Sequence, residues 1–178
     1  MIKRRIYIYF WSISIGLVCF SCHSERNKEP NKPKANHQEE LLRVNRYLVG
    51  KDADIIKGYL KRRDWIMNTT PTGLWYMIYQ KGNGIAAENG KMASMKYKVW
   101  LLDGTLCYSS DKLGEKKFRI GKGGVEKGLE EGILLLHAGD KARFIMPPHL
   151  AHGLMGDEDK IPPRSIILYE VELIQIAD

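Results

Sequence analysis

At Gly73 the apolar residues of this chain change period, and that change limits the folds open to it. Before it, "QEELLRVNRYLVG" sets Leu41, Leu42, Asn45, Leu48 and Val49 on one broad stripe, with Gly50 as a stop. "DADIIKGYLKRRDW" repeats the helical spacing through Ile55, Ile56, Tyr59 and Leu60, with Asp52 or Asp54 as cap. The pattern predicts two short amphipathic helices over 38–66. Their apolar faces must be buried, either on the domain that follows or against a second copy in a homodimer.

After Gly73 the side chains alternate, as on a half-buried strand. "GLWYMIYQKGNG" is a strand entering a Gly-Asn-Gly turn. In the next strand Met95, Tyr97, Val99 and Leu101 oppose Lys96, Lys98, Trp100 and Leu102. Asp103-Gly104 turns it into a hairpin that returns through Leu106 and Tyr108. A short strand follows in "KKFRIGKGG". One helix places Val125, Leu129, Ile133 and Leu136 on a face and closes at Gly139. "DKARFIM" is a strand, 147–164 a long loop, and Ile167, Tyr169, Val171 and Leu173 alternate in the last strand. About five mostly antiparallel strands around one helix make an α+β domain over 73–178.

The first 21 residues do not fit that domain. Lys3, Arg4 and Arg5 precede an apolar run from Ile6 to Phe20, shorter than the roughly 20 unbroken apolar residues a bilayer span needs. Together they read as an export signal, 1–21. "LVCFSC" ends in Ser21-Cys22 and resembles a bacterial lipoprotein signal, which implies Cys22 as lipid acceptor and a membrane anchor. Cys19 follows bulky Leu17 and Val18 and fits less well; an ordinary secretory signal or a signal anchor is the alternative. Residues 22–37, polar and carrying two prolines, read as a tether. With Cys19 removed and Cys22 lipidated, Cys107 is left without an intrachain disulfide partner. Losing the three basic residues of the signal takes the net charge from +7 to +4. No basic stripe with interleaved aromatics is present, which argues against nucleic acid as a partner.

One stretch raises a chemical question. "PPHLAHG" sets His149 and His152 three apart, just before Asp157, Glu158 and Asp159. Imidazoles and carboxylates at such spacing are metal-ligand types.

The order of strand, Asp-Gly hairpin, glycines and helix is followed by four specific pieces: "GLEEGI", "AGDKARF", "LAHG" and "IPP". In this order, over roughly 73–176, they resemble the FK506-binding (FKBP) family of peptidyl-prolyl cis-trans isomerases. With "GLWYMIY", "LCYSSD" and the tether, the chain is similar to the Bacteroidetes branch of gliding-motility lipoproteins. The resemblance implies an isomerase acting on proline-containing polypeptides without cofactor, metal or nucleophile, assisting folding of exported envelope proteins. It places the protein in the cell envelope, on the periplasmic side. It also implies that His149 and His152 are groove-loop residues rather than metal ligands.

Carried across, the resemblance makes Tyr97, Val125, Ile161 and Tyr169 groove walls and Leu129 the floor. His152 stands for a tyrosine, and the Glu126 main-chain N–H is the donor to the substrate carbonyl. Tyr108 replaces an aspartate, Cys107 an aromatic, Lys116 a phenylalanine and Glu126 an isoleucine. Leu129 replaces a tryptophan and Tyr169 a phenylalanine. Lys116 and Glu126 read either as groove residues or as solvated rim charges. Less aromatic area grips a proline ring less well, so weakened catalysis is expected. A binding or chaperone component of a motility or secretion apparatus is the alternative.

Overall fold

The computed structural model describes residues 34–178. The expected signal over 1–21, the acceptor Cys22 and most of the tether lie outside the described residues. One helix, α1 (Lys34–Arg63), replaces the two short helices expected, and it takes in residues 34–37 of the tether. Gly50 does not stop it, because a lone glycine costs only about 1 kcal/mol against alanine in a helix. Asp52 is not a cap either; it lies mid-helix and is buried.

The sheet has seven strands rather than about five: β1 (Asn68–Thr69), β2 (Trp75–Gln80), β3 (Met92–Leu101), β4 (Leu106–Ser109), β5 (Lys116–Arg119), β6 (Lys141–Met146) and β7 (Ile167–Ala177). Their order is β1-β2-β6-β7-β3-β4, with β5 also on β3, and every pairing is antiparallel. Two-residue β1 is too short to show a period. The hairpin at Gly104 forms as expected, with Thr105 N–H donating to the Asp103 carboxylate at 2.8 Å. Between β4 and β5 sits the single turn α2 (Ser110–Leu113).

Both faces of the sheet are covered. On one lies α3 (Lys127–Ile133), whose Leu129 and Ile133 are buried with Met95, Tyr97, Val99, Phe144, Tyr169 and Leu173. On the other, Ile56, Tyr59 and Leu60 of α1 pack on Ile145, Ile166 and Leu168, flanked by Trp75 and Trp100. Each such buried side chain contributes about 1.5–3 kcal/mol. Arg63 closes the junction over the Tyr59 ring, 3.8 Å from its centroid. The expected apolar stripe therefore divides. Ile56, Tyr59 and Leu60 of its second half are buried on the chain's own domain, whereas Leu41, Leu42, Val49 and Ile55 stay exposed among the described residues.

Two glycines test this packing in opposite senses. At Gly132 a Cβ would meet the buried Phe144 ring at 2.8 Å, whereas at Gly50 it would meet nothing within 4 Å. Gly132→Ala is expected to cost about 1–3 kcal/mol in denaturant unfolding. Gly50→Ala should raise helicity by circular dichroism, with a gain of up to about 1 kcal/mol.

Candidate functional site: an apolar groove with a charged edge

The β3–β7 register pairs Tyr97 with Val171 and Val99 with Tyr169. Side chains two apart share a face, so Tyr97 and Tyr169 come together, ring centroids 6.2 Å apart and tilted by 34°. Leu129 of α3, Ile161 and Cys107 are buried in the same apolar cluster, with Val125 and Tyr108 partly buried against it. The structure thus brings together the residues that sequence reasoning assigned to walls and floor. The Glu126 main-chain N–H, at the entry to α3, takes no partner among the described residues.

Glu126 and Lys116 are not solvated rim charges. The Glu126 side chain does not cap α3; it turns inward and is 10% exposed. Tyr169 Oη donates to Glu126 Oε1 at 2.6 Å. Lys116 Nζ donates to Tyr169 Oη at 3.2 Å and lies 3.7 Å from Glu126 Oε2. His152 Nε2 stands 3.3 Å from Glu126 Oε1. Glu126 Oε2 and His152 Nε2 are both buried without a hydrogen bond. The Lys116 ammonium also sits over both tyrosine rings, 5.1 Å from the centroid of Tyr97 and 5.7 Å from that of Tyr169. Burial, then the Glu126 carboxylate, push both tyrosine hydroxyls upward, so they remain neutral donors.

The remaining wall comes from the loop 147–164. Tyr108 replaces the aspartate expected on β4, but an acceptor returns from across the groove. Its hydroxyl donates to Asp157 and reaches Asp159 at 3.2 Å. Asp157 Oδ1 accepts from Ile161 N–H at 2.7 Å and from Asp159 N–H at 3.0 Å. Sequence reasoning named Asp157 only as a metal-ligand type; an Asp able to bond the backbone two residues on was the available signal for this role. The two histidines take different neighbours: His149 Nε2 lies 2.9 Å from Thr72 O, whereas His152 faces Glu126. Burial and the nearby Asp157 raise the Cys107 thiol, which leaves it a neutral, unreactive group.

Burial pushes the Asp157 carboxyl up, but the Tyr108 hydroxyl and the Ile161 and Asp159 N–H groups outweigh it and hold it below the usual range. A depressed folded pKa stabilises above the unfolded value, about 4, and that contribution is lost as pH falls through the folded one. Asp157→Ala should lower stability by about 2 kcal/mol at neutral pH. In thermal melts the difference from the parent should shrink as pH drops below about 4.

A family model described as "FKBP-type peptidyl-prolyl cis-trans isomerase" matches residues 83–174. The chain is 39% identical over 90 residues to the peptidyl-prolyl cis-trans isomerase Fkbp12 of Drosophila melanogaster, spanning 50% of this chain and 83% of that protein. It is 34% identical over 111 residues to FkpA of Escherichia coli K12, spanning 62% of this chain but 40% of FkpA. Among solved structures it is similar to AtFKBP13, with a TM-score of 0.61, 32% identity and coverage of 64% of this chain and all of that one. Against the crystal structure of FkpA the TM-score is 0.62 at 29% identity, covering 80% of this chain and 70% of that one. By its sequence match and by its fold, the chain belongs to the FKBP-type peptidyl-prolyl cis-trans isomerase family.

Proposed function

We propose that this isomerase acts on exported polypeptides from a lipid tether at Cys22, on the periplasmic side of the cell envelope. The carrying observation is the cluster of Tyr97, Leu129, Ile161 and Tyr169 beside the unpartnered Glu126 N–H. Rotation about an X-Pro bond is slow because the planar amide is resonance-stabilised. A twisted amide loses that resonance and is less polar, so a dry apolar groove favours it over the planar form. The Glu126 N–H then holds the carbonyl, while Val125 and Ile161 confine the ring. No bond is made or broken, and the groove needs no nucleophile.

The charged edge opposes part of this. Lys116 lies over the rings on which a prolyl group would stack, and it must swing aside for substrate. That observation favours, as a second reading, a weak catalyst that serves chiefly as a binding or chaperone component. The exposed apolar side chains of Leu41, Leu42, Val44 and Tyr47 support a homodimer through the helical segment. The tether and "PPHLAHGLMGDEDKIPP" support placement in the Bacteroidetes gliding-motility lipoprotein branch.

Cis/trans exchange of short X-Pro peptides, followed by NMR, tests the groove. The parent should accelerate exchange and Tyr97→Ala should reduce it; no acceleration by the folded parent would refute catalysis on such peptides. The triple variant Lys116→Phe, Glu126→Ile, Tyr169→Phe removes the donors and acceptors of these three side chains together and leaves only His152 Nε2, already without a hydrogen bond, facing the replaced carboxylate. With roughly 60 Å² of added apolar contact it should gain about 1.5 kcal/mol, near tenfold in kcat/KM.

A further inference from the structure

We propose that Asp52 of α1 is a positioning residue for the prolyl groove, acting through Arg164 on the loop that carries His152 and Ile161. The proposal rests on that groove being the isomerase site.

The loop closes at its base through Arg164, whose N–H donates to Gly153 O at 3.1 Å. Arg164 stands at φ 57°, a left-handed conformation that costs a side chain such as arginine free energy. Neighbouring structure must hold it there. The hold comes from a residue 112 positions earlier: Arg164 Nη2 lies 3.1 Å from each carboxylate oxygen of Asp52. Asp52 is buried, 7% exposed, while the Arg164 side chain is 33% exposed, so the pair is partly shielded from water.

Asp52 is itself fixed. Ile56, one turn further along the same helix face, is fully buried against the sheet with Tyr59 and Leu60. The helix thus braces the loop against the sheet. From Arg164 the constraint runs into the groove through close contacts. Gly153 N–H bonds Pro148 O at 2.8 Å, and Asp157 N–H bonds Ile161 O at 3.1 Å. At Gly156 a Cβ would lie 2.2 Å from Ile161 O, which leaves this part of the loop no slack. A shift of Arg164 therefore displaces His152 and Ile161, which confine the substrate. Helix α1 becomes part of the working enzyme, not an appended spacer.

The test is a double-mutant cycle on the full chain, with Asp52→Ala, Arg164→Ala and both together. Prolyl exchange kinetics are read beside thermal melts and the NMR shifts of Ile161. In folded Asp52→Ala, kcat/KM should fall about fivefold, mainly through KM, with Ile161 shifted. The double variant should be no worse than either single one. Unchanged kcat/KM in folded Asp52→Ala, or losses that multiply in the double variant, would overturn the coupling while leaving the isomerase intact. An inactive parent would instead overturn the isomerase reading, and this proposal with it.

Discussion

Because β3 and β7 pair antiparallel in unbroken register from Met95↔Leu173 to Leu101↔Ile167, each strand sends alternate side chains to opposite faces of the sheet over this stretch. A slip of one residue would exchange those faces. On one face the register puts Tyr97 and Tyr169 beside Leu129 of α3, in the buried apolar cluster that the proposed function reads as the groove. On the other it puts Trp100 and Leu168 under α1. Groove and helix dock are thus two sides of the same pairing. The loop 147–164 touches both, with Ile161 packed into the groove cluster and Arg164 paired to Asp52.

Within the groove, two physical demands compete. Gripping a prolyl ring and favouring a twisted amide call for dry apolar surface. Lys116, Glu126, His152 and the Tyr169 hydroxyl instead form a buried polar cluster with two atoms unbonded. Such a cluster rigidifies a site where it is satisfied and carries a desolvation cost where it is not. Of this cluster, Lys116 is the member that lies over the tyrosine rings, where the proposed function would have it set how readily proline enters.

The alternation after Gly73, the Asp-Gly hairpin and the Leu129 and Ile133 face of α3 were legible, because each is a local pattern with a fixed period, although α3 stops at Ile133, short of the expected Leu136 and Gly139. The assignment of Tyr97, Leu129, Ile161 and Tyr169 to one site came from the family resemblance, since spacing alone reads Tyr97, Leu129 and Tyr169 as core. The continuity of α1 was not legible: Gly50 looks like a stop, and only summed propensity along thirty residues overrides it. The inward turn of Glu126 was also hidden, because its partners stand 10, 26 and 43 positions away. Asp157 drew attention only as a metal-ligand type, because its partner Tyr108 lies 49 positions away. Asp52 looked like a helix cap for the same reason: its partner, Arg164, lies at the far end of the chain.

The most direct test of the central claim, that this partly charged groove still receives proline, is an NMR titration of the full chain with an X-Pro peptide. The account requires shifts at the Glu126 amide, Leu129, Ile161 and the Tyr97 ring, with Lys116 moving off the aromatic pair as peptide is added. Shifts confined to α1 and the outer side of the loop, with Glu126 and Leu129 unmoved at saturation, would contradict it.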